Sequence, residues 1–276
     1  MESGNGSVRC QIIAPPRPYF PPKIQPLRRK VSYNRAVTVC IAAIARGDTG
    51  SRIVLCCDSR LDQGWQGSTL YNQKLKIVGT GWAAMLSGRW QPAQEFIRVI
   101  GAYFRGNMAT PSDAMAAAKA AAEEYHASPF FSGQEGEREE VLVAGFIGGD
   151  PIILHLASNG FVETQPYCAI GEGSNIVTVM MNQRNCSPTN AVEQVAYIVY
   201  EAKRCSERVG SVGKDTTLAI QYPTDSRASP KSVTMDMFSR VGLVHLTNMR
   251  DRYWLRHLPL VPKRFPKKCF VNPKAG

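Results

Sequence analysis

The sequence predicts an α+β fold in which antiparallel sheets pack against helices. Strand-like segments come in pairs joined by short turns, helical segments stand in separate blocks between these pairs, and a last strand-like segment follows the final helix. No internal repeat competes with this order, and no apolar run approaches the roughly 20 residues that cross a bilayer. A chain of 276 residues can form one large domain with appended tails.

Two strand pairs open the predicted domain. Residues 37–45 (VTVCIAAIA) are apolar and rich in β-formers, and a turn-like segment at 46–50 (RGDTG) leads into a second such run that ends at Asp58. The next pair starts at Lys74 (KLKIV) and ends at Gly88 (WAAMLSG). Because polar residues do not alternate with apolar ones in the first hairpin, both of its strands are predicted to be buried.

Two helices are predicted to follow these strands. In the first, apolar residues recur at intervals of three and four, which is the stripe of an amphipathic helix. These residues are Ala93, Phe96, Ile97, Ile100, Tyr103 and Phe104. The second helix is indicated by Pro111, by Ser112 as its predicted N-cap, and by an Ala-rich run. The polar segment 132–140 (SGQEGEREE) ends this helical block.

A second block of strands lies between residues 141 and 157. Two apolar runs in this range meet at a turn formed by Gly149 and Asp150, which favours another antiparallel hairpin. A further helix is predicted from about Asn190 through AVEQVAYIVYEAKRC, and residues 215–222 (DTTLAIQY) return to a strand. The predicted order of elements is therefore strands, helices, strands, one or two helices and a final strand.

Charge and proline content divide the chain into three parts. Residues 1–36 form a Pro- and Arg-rich arm with seven basic residues and one acidic residue, and residues 37–222 form the predicted domain. Residues 223–276 form a basic tail, in which eleven basic residues stand against three acidic ones. The formal net charge of +11 therefore belongs to the ends, and the region between them carries −3. Phosphate binding by the central domain is accordingly disfavoured.

Composition also argues against a metal or a cofactor. The eight cysteines include no C-x-x-C pair, and the four histidines are far apart in the sequence. We expect reduced, mostly buried thiols. The amino-terminal segment lacks the apolar stretch of a secretory signal, so a cytoplasmic protein is expected.

Four short motifs carry the candidate chemistry. A Thr opens the first strand, an Asp closes the second, a Lys starts the third, and a Ser-Gly pair ends the fourth. These residues are Thr38, Asp58, Lys74, Ser87 and Gly88. Farther on, AIGEGS at 169–174 precedes a helix and GSVGKDTTLAI at 210–220 leads into the last strand. In this order the motifs resemble the proteasome-type N-terminal nucleophile (Ntn) hydrolases, in particular bacterial proteasome β-subunit-like proteins, over residues 37–222.

This resemblance implies a fold and a reaction. The fold is a four-layer αββα sandwich of two antiparallel sheets flanked by helices, and the reaction is amide hydrolysis by an amino-terminal threonine. The resemblance assigns catalytic roles to Thr38, Asp58, Lys74, Gly88 and Ser211, and supporting roles to Arg60 and Ser87.

Each implied role has a chemical reason. A threonine hydroxyl is a weak nucleophile and needs a base, which in this class is its own free α-amine. Lys74 would favour the neutral amine and steady developing negative charge, and Asp58 would pair with Lys74 because an unpaired buried charge is costly. The Gly88 backbone N–H would donate to the oxyanion, and Ser211 would lie near the amine.

The supporting residues depart from the family pattern at three places. The hairpin turn at 47–50 makes the gap between the Thr and the Asp four residues longer than usual. Glu172 stands where the family commonly has a Ser, and Glu207 or Arg208 falls near the position of the Asp that accompanies Ser211 in the family. The turn insertion is harmless to the strand ends, since loops tolerate insertions.

Val37 is the departure that concerns the nucleophile. While Val37 is bonded to the nitrogen of Thr38, that nitrogen is an amide and cannot act as a base. Family members that cleave themselves normally have Gly before the Thr. We hypothesise that the working protein begins at Thr38, with position 37 representing an initiation codon whose methionine is removed.

Three functional interpretations remain open at this point. The leading one is a threonine-type peptidase that cleaves peptide or protein substrates as a ring or a larger homo-oligomer, with no membrane association and with an ATPase partner undetermined. A second is a noncatalytic proteasome-like structural subunit that keeps its amino-terminal arm. The third and least favoured is nucleic-acid binding through the basic ends.

Overall fold

The computed structural model describes residues 38–58, 60–62, 69–71, 74–106, 108–131, 139–209, 212–223, 233–253 and 265–271. The predicted arm at 1–36, Val37 and Ser211 lie outside the described residues.

The strands form two five-stranded sheets and one short ribbon. In chain order they are β1 (Cys40–Gly47), β2 (Gly50–Asp58), β3 (Arg60–Asp62), β4 (Thr69–Tyr71), β5 (Leu75–Gly79), β6 (Trp82–Ser87), β7 (Glu140–Ile147), β8 (Asp150–Ala157), β9 (Val162–Thr164), β10 (Tyr167–Ile170), β11 (Thr216–Pro223) and β12 (Val233–Met237). The first sheet has the order β10-β1-β2-β11-β12 and the second the order β5-β6-β7-β8-β9, while β3 pairs with β4. Each of these pairings is antiparallel.

The described residues contain five α-helices, which lie outside the two sheets. They are α1 (Trp90–Tyr103), α2 (Pro111–His126), α3 (Ser174–Gln183), α4 (Val192–Ser206) and α5 (Arg240–Tyr253), and a 3-10 turn follows at Lys267–Cys269. Helices α1 and α2 contact the second sheet, whereas α3 and α4 contact the first and α5 packs on α4. The layers are therefore helix, sheet, sheet, helix, which confirms the predicted α+β sandwich.

Strand β1 occupies the centre of this arrangement and is buried on both faces. Ile41 and Ala43 belong to the apolar cluster between the first sheet and its helices. Cys40 and Ala42, which point the other way, belong to the cluster between the two sheets. A strand covered on both faces needs no polar residues at alternate positions, which explains the continuous apolar run in the sequence.

The start of α2 corrects one prediction. Ser112 is not the N-cap; Thr110 is, and its hydroxyl accepts a hydrogen bond from the backbone N–H of Asp113 at 3.2 Å. The Asp113 carboxylate in turn accepts from the backbone N–H of Thr110 at 2.9 Å. Pro111 occupies the first helical position, where a missing N–H costs nothing, so the cap has to lie before the proline.

The region after residue 222, for which the sequence predicted no element, contributes to the first sheet and its helical layer. Strand β12 pairs with β11, and α5 packs beside α4. The seven described cysteines are free and buried, as expected from the sequence. Among the residues described here, no helix has the length and apolar character needed to cross a membrane.

Candidate active site

Three predicted residues meet at one end of the sandwich. Thr38 lies two residues before β1, Asp58 is the last residue of β2, and Lys74 directly precedes β5 in the other sheet. Their exposed fractions are 2% for Thr38, 0% for Asp58 and 1% for Lys74. Because β1 and β2 are paired along their whole length, the start of one strand and the end of the other must lie side by side.

The Thr38 hydroxyl lies between the two charged groups. It donates a hydrogen bond to Asp58 Oδ1 at 2.8 Å and accepts one from Lys74 Nζ. Lys74 Nζ also lies 2.9 Å from the same carboxylate oxygen, so the ion pair and the hydroxyl form a closed triangle. An ammonium beside a hydroxyl stabilises the developing alkoxide, because opposite charges attract strongly where water is excluded.

Backbone groups complete the environment of Asp58. The N–H of Val39 donates to Oδ1 at 3.0 Å, and the N–H of Gly213 donates to Oδ2 at 3.1 Å. A buried carboxylate is tolerated only when its oxygens are hydrogen-bonded and its charge is compensated. The N–H donors and Lys74 meet both conditions, so Asp58 is held in one orientation.

A glycine turn touches the backbone of Thr38. Gly171 has a φ of +90°, and a Cβ built on it would lie 2.3 Å from the Thr38 carbonyl oxygen. Its N–H donates to Glu140 Oε2 at 3.2 Å. A side chain at this position would therefore collide with backbone atoms that cannot easily move.

Ser87 is the last residue of β6, and Gly88 follows it at the same end of the sandwich as Thr38. The thiol of Cys40, two residues after Thr38, donates to the carbonyl oxygen of Leu86 at 3.3 Å and so ties the start of β1 to the end of β6. Gly88 adopts a φ of +117°, which favours glycine, and Ser87 is buried.

Behind Gly88 lies a buried carboxyl group. A Cβ on Gly88 would come within 2.9 Å of the Cα of Glu139. Burial raises the pKa of the Glu139 carboxyl, although Arg89 Nε lies 3.4 Å from its Oε1 and opposes that shift. Glu139 thus packs directly against Gly88, whose N–H the family resemblance implies as the oxyanion donor.

Cys40 offers no competing nucleophile. Burial raises the pKa of its thiol well above the ordinary value, and its hydrogen bond with Cys57 raises it further. Since the thiolate is the reactive form of cysteine, this neutral thiol is inert at neutral pH. The hydroxyl that contacts the Asp58–Lys74 ion pair at this end of the sandwich belongs to Thr38.

The remaining predicted residues lie elsewhere or cannot be described. Arg60 belongs to β3, but its side chain is outside the described residues, as is the whole of Ser211. Glu172 is exposed beside the glycine turn. Glu207 accepts hydrogen bonds from Lys203 at 2.6 Å and from Arg204 at 2.8 Å, so its partners are on its own helix.

Sequence reasoning missed two residues near the site, Gly213 and Lys203. Gly213 lies in a segment that the motif comparison included, but nothing in the sequence shows that its N–H donates to Asp58. Lys203 follows Val199 by four positions in α4 and so falls on the buried face of the helix. A lysine on an apolar helical stripe is a signal that could have been noticed, because lysine is rarely buried without a partner.

Comparisons with known proteins agree with this fold. The model of the Proteasome subunit family matches residues 38–220, which is most of the chain and includes every described residue of the Thr38–Asp58–Lys74 cluster. A comparison with curated proteins finds no matching relative. The chain belongs to the proteasome subunit family. It therefore shares the family's Ntn hydrolase fold, with Thr38 as the first residue of the matched region.

Proposed function

We propose that this protein is a threonine-type amide hydrolase, a peptidase in which Thr38 is the mature amino-terminal residue. The observation that carries the proposal is the position of the Thr38 hydroxyl, in contact with the Lys74 ammonium and the Asp58 carboxylate. A threonine placed merely for packing would have no need of a buried ion pair at its hydroxyl.

The proposed reaction begins with proton removal from Thr38. The free α-amine, with an ordinary pKa of about 8, accepts the hydroxyl proton while Oγ1 forms a bond to the substrate carbonyl carbon. Lys74 stays protonated and stabilises negative charge on Oγ1, and the Gly88 N–H donates to the carbonyl oxygen as it becomes an oxyanion. The amine then returns the proton to the leaving nitrogen as the C–N bond breaks.

The second half of the reaction releases the product. Water attacks the ester on Thr38, the α-amine again serves as base, and the carboxylic acid leaves as the Thr38 hydroxyl re-forms. Asp58 takes no proton in either half. Its role is to compensate Lys74 and to fix the relative positions of the hydroxyl and the ammonium, which are gathered from two different sheets.

Assembly is part of the proposal. Membership of the proteasome subunit family implies oligomers, and we propose a homo-oligomeric ring or larger particle in the cytoplasm that cleaves peptides or proteins.

The identity of the residue that starts the working chain decides between this function and a noncatalytic one. Val37 favours the second candidate, a structural subunit, because it leaves the Thr38 nitrogen as an amide. Intact-mass measurement and amino-terminal sequencing of protein from its native source should give a chain that starts at Thr38. A native particle in which residue 37 is still attached would overturn the hydrolase.

Reaction with an electrophile tests the nucleophile directly. A peptide epoxyketone bonds to both the hydroxyl and the amine of an amino-terminal threonine, so the expected product is one covalent adduct per reactive chain, at Thr38. The matched control is Thr38→Ser, which keeps a hydroxyl and should still react, whereas Thr38→Ala should not. An adduct that persists in Thr38→Ala would place the nucleophile elsewhere.

A further inference from the structure

Lys203 of α4 is a fully buried cation that lies outside the Thr38 cluster. Its exposed fraction is 0%. Its ammonium donates to Glu207 Oε1 at 2.6 Å and to three consecutive backbone carbonyl oxygens, those of Gly213 at 2.9 Å, Lys214 at 3.0 Å and Asp215 at 3.0 Å. An ammonium has three N–H donors, so four acceptors at these distances share them and leave none unused.

The three carbonyl groups give the loop before β11 its shape. Carbonyl oxygens of successive residues point in different directions in an extended strand, so convergence on one cation requires the backbone of residues 213–215 to curve around it. Glu207 compensates the charge from the helix side. Without the ammonium, the three carbonyl groups would lose their shared donor together, and the one on the buried Gly213 would be the most costly to leave without a partner.

This loop also reaches Asp58. Gly213 accepts a hydrogen bond from Lys203 at its carbonyl oxygen and donates its N–H to Asp58 Oδ2, the latter at 3.1 Å. Thr216, the first residue of β11, pairs with Asp58 in the sheet. The backbone from Gly213 to Thr216 therefore spans the distance between the buried lysine and the buried carboxylate.

We propose that Lys203 is a positioning residue for the hydrolase described above, and the proposal rests on that function. Lys203 holds the 213–215 loop so that the Gly213 N–H donates to Asp58 Oδ2. Asp58 Oδ1 is thereby left to receive Lys74 and the Thr38 hydroxyl in the arrangement that the reaction needs. Lys203 makes no contact with Thr38, so its influence on the reaction passes through the loop and Asp58.

The expected signature is a loss of kcat at unchanged KM. Lys203→Met removes the charge and the donors while nearly keeping the volume, and the loop then moves away from Asp58. Misplacement of catalytic groups by about 1 Å costs roughly 10- to 100-fold in rate. Because the Lys203 side chain is fully buried and out of reach of a substrate at the surface, KM should change by less than about twofold.

Arg184→Met is the matched control. Arg184 makes a bidentate ion pair with the fully buried Glu201, also on α4, with both N–O distances 2.7 Å. This variant likewise breaks a buried ion pair of α4, but it leaves the 213–215 loop intact, so its kcat per folded chain should equal that of the parent. An unchanged kcat in Lys203→Met, or an equal loss in both variants, would overturn the proposal.

Two further measurements keep the test decisive. If Lys203→Met does not fold, Lys203→Arg replaces it. The longer planar guanidinium keeps the charge but cannot occupy the same point among the carbonyl groups, so kcat should again fall with KM unchanged. A kcat equal to that of the parent protein would contradict the proposal.

If the parent protein itself proves inactive towards peptides and epoxyketones, the proposed function fails separately. Amide hydrogen exchange at Gly213 then decides: it should be faster in Lys203→Met than in Arg184→Met, and equal protection would refute the role of Lys203.

Discussion

Two buried ion pairs of this protein, Asp58–Lys74 and Glu201–Arg184, have similar components and different arrangements. Arg184 is the C-cap of α3, and its guanidinium contacts both oxygens of Glu201, with each distance 2.7 Å. Lys74 contacts one oxygen of Asp58, and the Thr38 hydroxyl binds the same oxygen. The Glu201–Arg184 pair joins two helices of one layer, whereas the Asp58–Lys74 pair joins the two sheets.

The difference shows why a buried ion pair alone does not indicate catalysis. A bidentate arginine binds both oxygens of the Glu201 carboxylate, and the only weaker contact described beside it is a hydrogen bond from the Tyr197 hydroxyl to Oε1 at 3.4 Å. The lysine ammonium is compact and has three N–H donors, so Lys74 can contact Asp58 and still donate a hydrogen bond to the Thr38 hydroxyl. The two pairs therefore differ in the hydroxyl beside them: the Thr38 hydroxyl contacts both charged groups, whereas the Tyr197 hydroxyl donates to the Glu201 carboxylate. The Glu201–Arg184 pair serves as an internal reference for a buried ion pair in the helical layer.

Lys74→Met should have the largest effect and tests this comparison directly. We expect hydrolysis to fall by about a thousandfold or more, since the hydroxyl loses the neighbouring charge. The free energy of unfolding should also fall by about 3–5 kcal/mol, because Asp58 is left buried and unpaired. Activity assays and chemical denaturation measure the two effects.

Arg184→Met separates these two effects. It should lower the free energy of unfolding by a similar amount without changing the rate per folded chain. An equally strong loss of rate in Arg184→Met and Lys74→Met would contradict the distinction between the two ion pairs.

Gly171→Ala should have the next largest effect. The new Cβ would lie 2.3 Å from the Thr38 carbonyl oxygen, so the turn or Thr38 must shift, and we expect kcat to fall roughly 10- to 100-fold. Gly160→Ala is the control, because Gly160 has a similar φ of +85° but nothing within 4 Å of its Cβ. The control should lose about 1 kcal/mol of stability and keep its kcat. Equal kcat values for the two variants would show that the contact with Thr38 is unimportant.

The smallest effect concerns a third charge cluster, around His155 of β8. Its Nδ1 lies 3.2 Å from Glu163 and its Nε2 lies 3.3 Å from Glu140. Burial lowers the pKa of His155, but the two carboxylates outweigh burial and raise the pKa above its ordinary value. The protonated imidazole therefore stabilises the fold fully below a pH of about 6.5, and this contribution is lost as the pH rises through the raised pKa.

His155→Gln should reveal that pH dependence. The difference in unfolding free energy between the parent and His155→Gln should be largest below a pH of about 6.5 and should shrink at higher pH. Urea titrations at several pH values measure it. A difference that grows with pH would mean that His155 is neutral in the folded protein.

Much of the fold followed from local patterns in the sequence. The turn segments at 46–50 and at Gly149–Asp150 separate apolar runs, and both hairpins form as predicted. The order of Thr38 and Asp58 relative to β1 and β2 places them side by side, because these strands are paired antiparallel. Lys74 reaches them from the other sheet, so its position depends on the packing of the two sheets.

The missed features depend on contacts between distant parts of the chain. Nothing in the sequence around Gly213 indicates which way its N–H points, and that N–H donates to a carboxylate 155 positions away. The role of Lys203 likewise depends on the curvature of a loop that follows the helix. The cap of α2 was a local error, since the proline after Thr110 already required the cap to precede it.

The sequence by itself determined the order of elements, the two-sided burial of β1 and the set of residues at the strand ends, because these depend on periodicity and turn chemistry within short segments. The tertiary structure alone decided that one oxygen of Asp58 receives both Lys74 and Thr38 while the other receives Gly213. These hydrogen bonds depend on how the two sheets and the 213–215 loop pack together, and the segments that meet there are far apart in the chain.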